Sequence, residues 1–168
     1  MSAINAVDRS GRPLTGGERA LAASIFGDAI DYDAIRIHRR KWFWFHPKRA
    51  IMAPDGHIWV HPKSDLWSDD YSTARLGLQA LFLHEMTHVW QAQRMGRWYL
   101  VLMRHPFCRY HYSFIPGWPL ERYGLEQQAE IVRHVFLARA GAPQAGAPEP
   151  SLIEELVRFA ASPAAEGR

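Results

Sequence analysis

Cysteine is almost absent from the sequence, which has only Cys108 among its 168 residues. An internal disulfide is therefore excluded, and nothing indicates the disulfide framework of a small secreted domain. We expect Cys108 to pack as an ordinary apolar residue. Apolar runs are short as well, and none approaches the ~18 residues of a membrane-spanning helix. Residues 1–17 lack the basic start and apolar run of a signal peptide, so we expect cytoplasmic synthesis.

Long blocks of one charge are also missing. The formal net charge is +3, and the densest basic stretch is residues 38–41, with Lys48 and Arg49 a few residues later. A solvated strand face explains this stretch, and no nucleic-acid-binding motif accompanies it, so we expect no nucleic-acid partner. A DNA-associated protease would need at least a salt-dependent DNA affinity. With 48% hydrophobic and 22% charged residues, the composition is typical of one globular domain.

Local patterns predict a mainly helical α+β fold with a small antiparallel sheet. Thr15 and Glu18 have the spacing of a capping box, which predicts a helix to about Phe26. Residues 34–39 and 57–61 alternate between apolar and polar, which predicts two strands, and residues 53–56 have the composition of a turn. We expect this sheet to pack against the long helix that follows.

The second half of the sequence predicts further helices. Ser72 or Thr73 can cap a long helix over residues 74–95, and closely spaced prolines predict an irregular lobe around a short helix at 98–103. Another helix is expected at 125–140, followed by a linker at 141–150 and a capping box that opens a helix from Ser151 to about Ala161. The expected division is a leader at 1–14, a domain at 15–140, a linker at 141–150 and a C-terminal helix and tail at 151–168.

A His-Glu-x-x-His motif, formed by His84, Glu85 and His88, lies within the long predicted helix. Its i, i+4 spacing places both imidazoles on one face, so two ring nitrogens can bind one ion. Zn²⁺ prefers such ligands, and a catalytic site takes three protein ligands and leaves the fourth position to water. Glu85 would then lie beside that water. The alternative is a core helix whose histidines bond backbone carbonyls while Glu85 reaches solvent or an arginine.

A third ligand is available in the sequence Glu-Gln-Gln-Ala-Glu at residues 126–130. Glu126 and Glu130 share a helical face, and the small Ala129 permits close packing against the first helix. We assign Glu126 to the zinc and Glu130 to the far ring nitrogen of a ligand histidine, with the reverse order left open. His134, one turn further on, is another candidate ligand. Both glutamates could instead be solvated charges on an exposed face.

With these motifs the chain resembles the zincin metallopeptidases. The 126–130 segment is similar to the Glu-x-x-Ala/Ser-Asp helix of the gluzincin branch, although Glu130 stands where Asp is usual. The metzincin extension is not matched, because Gln91 stands where that pattern needs Gly. The chain is also similar to the zincin-like core domain of proteins linked to bacterial contractile injection systems and to small bacterial Vgr-related proteins. That similarity is carried by Phe26-Gly27 and by residues 35–38, 53–59 and 83–91.

The resemblance implies a zincin-like domain at 15–140 and a zinc peptidase associated with type VI or phage-tail-like secretion machinery. A peptide or protein would be the substrate, a secretion spike or effector would be a partner, and export would follow that non-classical route. Zinc would lower the pKa of its water towards ~7, and Glu85 would take the proton and pass it to the leaving amine. His105, His111, Tyr112 and Tyr123 are available to stabilise the oxyanion.

A different class of function is compatible with the same residues. A catalytically inactive module could keep the zincin fold, with or without metal, and dock on a secretion spike or cargo protein, because a fold does not establish an activity. Zinc content measured together with proteolysis distinguishes the two, since metal bound without cleavage favours the module.

Overall fold

A computed structural model describes residues 11–96, 98–103 and 110–159. Cys108, His105, most of the expected leader and the expected end of the last helix at Ala161 lie outside these residues. The α+β class is confirmed, since the described residues form both helices and a three-stranded sheet. Within the described residues, none of the helices has the length and apolar character needed to cross a bilayer.

The first helix, α1, covers Gly16–Phe26. Its capping box is confirmed, because the Glu18 amide donates to the Thr15 hydroxyl at 3.0 Å and the Thr15 amide donates to the Glu18 carboxylate at 2.9 Å. The helix ends at Gly27, as predicted, with a positive φ of 52°.

The sheet is mixed, which corrects the prediction of an antiparallel sheet. Its strands are β1 (Ile37–His38), β2 (Ile51–Met52) and β3 (Ile58–Val60), in the order β1-β3-β2. β1 runs parallel to β3, whereas β2 runs antiparallel to it. The turn between β2 and β3 is where it was predicted, and Gly56 has a φ of +87° there, a conformation that favours glycine.

The long helix, α2, covers Leu76–Met95 and ends at Gly96, as predicted. Its start differs from the prediction. Ser72 and Thr73 belong to a separate 3₁₀ turn, Tyr71–Thr73, which Asp70 caps by accepting from the Ser72 amide at 2.9 Å. Arg75 is the N-cap of α2 and makes no side-chain capping bond. Three candidate capping side chains lie close together here, and the Asp carboxylate is the one that caps.

The described residues also form α3 (Tyr99–Met103), α4 (Leu125–Arg139) and α5 (Pro150–Glu154), with a 3₁₀ turn, Leu120–Arg122, before α4. α3 and α4 match their predictions. The capping box at Ser151 is wrong, because α5 begins at Pro150, one residue earlier, and its N-cap Glu149 makes no side-chain capping bond. Proline is favoured at the first helical position, since its fixed φ suits the helix and its missing N–H has no partner there. The helix ends at Glu154, well short of the predicted residue 161.

The core lies between α2 and α4, which pack more extensively on each other than any other pair of elements. Phe82, Leu83, Met86, Ile131 and Val135 are fully buried there. The last described residues join the same core, because Ile153 and Val157 are buried and the Phe159 ring lies 4.7 Å from that of Phe26. The division into domain, linker and C-terminal segment stays a prediction.

Candidate metal centre and groove

The His-Glu-x-x-His residues lie in the middle of α2, where that helix faces α4. His84, Glu85 and His88 are all buried, with exposed fractions of 4%, 3% and 0%. The two imidazole rings are neighbours on one face, with centroids 5.1 Å apart. Ionisable side chains rarely lie in such an apolar helix interface without partners of opposite charge or a metal.

Glu126, in the first turn of α4, completes a buried three-residue group with His84 and His88. We call this candidate for holding an ion the metal group. Its carboxylate Oε2 lies 3.3 Å from His84 Nε2 and 3.2 Å from His88 Nε2. One ligand atom from each residue lies within 4.8 Å of the others, so the group could hold a metal ion. His134 does not belong to the group, because its ring bonds the Tyr112 hydroxyl at 2.8 Å.

Glu130 lies on the far side of the His84 ring, one turn along α4 from Glu126. Its Oε1 is 2.9 Å from His84 Nδ1, so the longer Glu side chain still reaches the ring where an Asp is usual. Its other oxygen, Oε2, accepts from Arg133 at 3.0 Å and lies 3.5 Å from His134 Nε2. The carboxylate is therefore fixed from both sides.

His88 is oriented by a chain of amides that fixes its tautomer. Gln128 donates from Nε2 to the Tyr123 carbonyl at 2.7 Å, so its Oε1 accepts from Gln91 Nε2 at 2.8 Å. Gln91 also donates to the Leu125 carbonyl, which leaves its Oε1 as the acceptor facing His88 Nδ1 at 2.8 Å. The Nδ1 of His88 therefore carries the hydrogen, and Nε2 presents a lone pair towards the metal group.

The Nδ1–H tautomer of His88 bears on whether His84, His88 and Glu126 can bind a metal ion. The lone pair of His88 Nε2 faces the carboxylate oxygen of Glu126 across 3.2 Å. A neutral His88 and an ionised Glu126 repel each other at that distance unless a proton or a metal cation lies between them. The donor set of two imidazoles and one carboxylate is one that Zn²⁺ accepts in catalytic sites. The residues therefore fit a zinc ion.

The electrostatics of the group also favour a positive charge. Burial lowers the pKa of the His84 ring, but the contacts with Glu126 and Glu130 outweigh burial and raise it to about 9. Burial raises the pKa of the Glu130 carboxyl, but His84 and Arg133 outweigh it and hold the pKa below its usual value. A site that stabilises a proton on His84 supplies the same negative potential to a metal cation.

Glu85 points into a groove beside the metal group. Its Oε2 is buried and has no hydrogen-bond partner among the described residues. A buried carboxylate oxygen without a partner costs stability, so such an atom indicates a place for a ligand or water. The groove has a volume of about 290 Å³, and its walls are formed by β2, the segment before it, α2 and α4. Its lining includes Arg49, Ile51, His84, Glu85, Tyr110 and Arg133.

The residues predicted as oxyanion donors are only partly available. The hydroxyls of Tyr112 and Tyr123 are engaged, Tyr112 with His134 and Tyr123 with the Ile115 amide at 3.0 Å. His111 is exposed and lines a neighbouring cavity of about 250 Å³. Tyr110, which the sequence did not single out, lines both this cavity and the groove, and its ring lies 6.4 Å from that of His84.

Sequence reasoning also missed Gln91 and Gln128 as residues that orient a ligand. Gln91 stands three residues after His88, so it lies on the same helical face, and that spacing was a usable signal. Gln128 gives no such signal, because its contact with Gln91 exists only once α2 and α4 have packed. Arg49 reaches the groove through the fold of its segment, which local patterns do not predict.

Comparisons with known proteins agree on one relationship. No protein-family model matches the sequence. Over 137 residues, 77% of the chain, the sequence is 39% identical to the type VI secretion system spike protein VgrG2b of Pseudomonas aeruginosa, and the match spans 13% of that protein. The solved structure of the effector domain of Pseudomonas aeruginosa VgrG2b is similar, with a TM-score of 0.68, 35% identity and coverage of 88% of this chain and 82% of that one. The predicted Vgr relationship is thereby confirmed, and the chain belongs to the family of the VgrG2b effector domain.

Proposed function

We propose that this chain is a zinc-dependent metallopeptidase of the zincin type, with its catalytic core in residues 15–140. His84, His88 and Glu126 would hold the zinc, and Glu85 would act as general base. One observation supports this most strongly: three buried ligand atoms lie within 4.8 Å of one another, beside a buried Glu85 oxygen that has no partner among the described residues. Buried ionisable groups cost stability even when they are paired, so their concentration in this helix interface supports a chemical role.

When bound, zinc supplies Lewis acidity and makes water a nucleophile near neutral pH. Glu85 faces the groove and would accept a proton from the attacking water, then donate it to the leaving amine. Gln91 orients the His88 ring and Glu130 lies beside Nδ1 of His84, and the Nε2 atoms of both rings face the same Glu126 oxygen. Tyr110, at the wall of the groove, is a new candidate for the oxyanion donor.

We also propose that the chain acts in type VI secretion. The support is its relative, which is a spike protein of such a system and whose effector domain has the same fold. A spike or effector polypeptide would then be a partner, and the secretion machinery would export the chain. This part of the proposal does not depend on the metal site.

Metal analysis and proteolysis of the purified chain test the enzymatic proposal together. The wild type should contain one equivalent of zinc and cleave an unstructured protein such as casein. Glu85→Gln should keep the zinc and lose at least about 100-fold in cleavage rate, because it removes the general base. Glu126→Ala should lose the metal. Full zinc in purified Glu126→Ala would disprove the ligand assignment.

Glu121→Gln is the matched control, because Glu121 is exposed and lies in the turn before α4. It should retain both zinc and activity. The inactive docking module predicts a different pattern, in which the wild type binds one equivalent of zinc but neither casein nor a spike polypeptide is cleaved. That result would replace the peptidase with the module.

A further inference from the structure

The segment that joins β1 to β2, residues 39–50, combines positive charge with aromatic rings; we call it the basic-aromatic loop. It contains five cations, all exposed: Arg39, Arg40, Lys41, Lys48 and Arg49. No Asp or Glu occurs anywhere from residue 34 to residue 54. Lys63 adds another exposed cation, two residues after His61, whose ring centroid lies 6.1 Å from that of His46 in the loop. Because acidic residues are interspersed elsewhere, this loop stands out in a chain whose net charge is only +3.

Contacts with β3 and hydrogen bonds within the loop hold the basic-aromatic loop in place. Trp42 packs edge-on against Trp59 of β3, with ring centroids 5.0 Å apart. His46 is buried, accepts from the Trp42 amide at 3.2 Å and bonds the Ala50 carbonyl at 2.9 Å. The Lys41 ammonium donates to the Trp44 carbonyl at 3.3 Å. These contacts anchor the loop on the protein on both sides of Trp44 and Phe45.

Trp44 and Phe45 point away from the protein. Their side chains are 84% and 62% exposed, and Trp44 lies edge-on against Phe45 with centroids 4.9 Å apart. Single exposed apolar residues need no explanation, but two adjacent large rings on an anchored loop forfeit the stabilisation that burial would give. Their exposure indicates a surface that becomes buried in a partner.

We propose that the basic-aromatic loop binds the surface of an anionic lipid bilayer. Trp and Phe rings partition into the boundary between headgroups and acyl chains, while Lys and Arg around them bind anionic headgroups. The five exposed cations flank the two rings on both sides in the sequence, which places positive charge in the same loop as the rings. A single-stranded nucleic acid would need a basic groove along which bases stack in succession. Here the rings are adjacent, at the outer end of a loop, and their planes lie at 76° to each other.

The loop continues directly into the wall of the candidate catalytic groove. Arg49, Ala50 and Ile51 line that groove together with His84 and Glu85. A protein bound through Trp44 and Phe45 would therefore hold its groove close to the lipid surface. Membrane binding itself needs neither zinc nor Glu85, so it can be tested separately from the proposed peptidase.

Vesicle sedimentation with the full chain tests the proposal. Vesicles of phosphatidylcholine alone are compared with vesicles containing added phosphatidylglycerol, in about 0.1 M salt, where the Debye length is about 10 Å. The wild type should sediment with the anionic vesicles and should be released at high salt. Trp44→Ala/Phe45→Ala should bind the anionic vesicles at least about tenfold more weakly, because it removes the inserted rings.

A charge-reversal variant, Lys48→Glu/Lys63→Glu, should also bind about tenfold more weakly, because it replaces two of the six cations in and beside the loop with negative charges. Two controls match these variants outside the loop. Trp98→Ala removes another exposed tryptophan, and Arg75→Glu/Arg158→Glu changes the net charge equally. Both controls should bind as the wild type does. All substituted residues are exposed, and circular dichroism checks that each variant is folded.

Three results would overturn the proposal. The first is a wild type that sediments with neither vesicle type, which would leave a protein partner to cover the rings. The second is equal binding by the aromatic double variant. The third is equal loss of binding in the Arg75→Glu/Arg158→Glu control, which would reduce the effect to net charge. Glu85→Gln should bind vesicles as the wild type does, so failure of the peptidase proposal leaves this one intact.

Discussion

At the scale of single residues, the His88 ring is oriented by side chains that are not themselves candidate metal ligands. Its Nδ1 donates to Gln91, and Gln91 is itself held by the Leu125 carbonyl and by Gln128. All of these groups are in or next to the interface of α2 and α4. The ring therefore cannot rotate or change tautomer without breaking a series of buried hydrogen bonds, each of which would leave a polar group unpaired.

Gln91→Leu should weaken zinc binding by about 10 to 100-fold, the usual effect of removing an outer partner of a ligand histidine. Leucine has nearly the volume of glutamine, but it gives the His88 Nδ1 hydrogen no acceptor. Competition with a chromogenic chelator measures the zinc affinity of the folded variant. Hydrolysis at saturating zinc should fall less than affinity, because Glu85 is unchanged.

Gln93→Leu is the matched control for that variant. Gln93 lies two residues further along α2 and bonds Asp31 through both its amide nitrogen and its oxygen, far from the metal group. Its loss should lower stability and leave zinc affinity unchanged. Equal zinc affinity in Gln91→Leu and the wild type would show that Gln91 does not position His88.

The residues of the candidate site differ in how far the sequence predicts them. His84, Glu85 and His88 follow from spacing on one helix, because the helical period fixes which side chains share a face. Glu126 was assigned to the zinc with the reverse order left open, because spacing alone does not distinguish it from Glu130, and the ligand set stays a prediction. Gln128 and Tyr110 could not be found, because their positions depend on how distant elements pack and not on local periodicity.

At the scale of elements, Glu18 joins α1 to the turn that precedes α2. It is fully buried, caps α1, pairs with the Arg12 guanidinium at 2.7 and 2.8 Å, and accepts from the Tyr71 amide at 2.9 Å. One carboxylate thus satisfies donors from three separate parts of the chain. Because Tyr71 begins the turn before α2, this contact helps to set where α2, which carries the candidate metal ligands, starts.

Glu18→Ala should lower the free energy of unfolding by about 3 kcal/mol, the lower end for a broken buried ion pair, because Arg12 is only half-buried. Thr15→Ala removes the hydroxyl of the same capping box and should cost only about 1 kcal/mol. Urea denaturation of the two variants measures the difference. Equal losses would mean that Glu18 acts only as a helix cap.

The features of the helices and strands that depend on a few neighbouring residues were predicted, and those that depend on distant parts of the chain were not. The start of α1 and the ends of α1 and α2 were predicted, because caps and glycine stops act over a few residues. The strand at residues 34–39 was too long. Alternation there reports the burial of Ile35 and Ile37, but the Arg36 amide bonds the His57 side chain and not a neighbouring strand. The parallel pairing of β1 with β3 depends on a chain crossing that no local pattern encodes.

At the scale of the whole molecule, the metal group connects two helices that are distant in sequence. His84 and His88 lie on α2 and Glu126 on α4, and these helices form the main core interface. A zinc ion there would bind the folded protein and not the unfolded chain, so its binding energy would add to stability. Without zinc, the raised pKa of His84 favours a proton on its ring. That positive charge would offset part of the negative charge of Glu126 and Glu130.

Zinc in about 1,000-fold excess over its dissociation constant should stabilise the fold by about 4 kcal/mol. For a chain of 168 residues, this corresponds to a rise in melting temperature of about 10 °C. Calorimetry of the chelator-treated protein with and without added zinc measures the rise. The metal-free protein should still melt cooperatively, because its core extends well beyond the site and includes the packing of α5.

Three variants distinguish a rise in melting temperature caused by zinc at His84, His88 and Glu126 from one caused by zinc bound elsewhere. Glu126→Ala should show no rise with zinc, whereas Glu85→Gln and the surface control Glu121→Gln should show the full rise, since neither removes a ligand. A rise that persisted in Glu126→Ala would place the zinc elsewhere on the protein. A metal-free protein that is unfolded would contradict the prediction in another way. It would mean that the interface of α2 and α4 cannot hold the fold without zinc, and that the zinc is structural. In that case Glu85→Gln would still melt normally with zinc bound, and only its cleavage rate would separate a catalytic ion from a structural one.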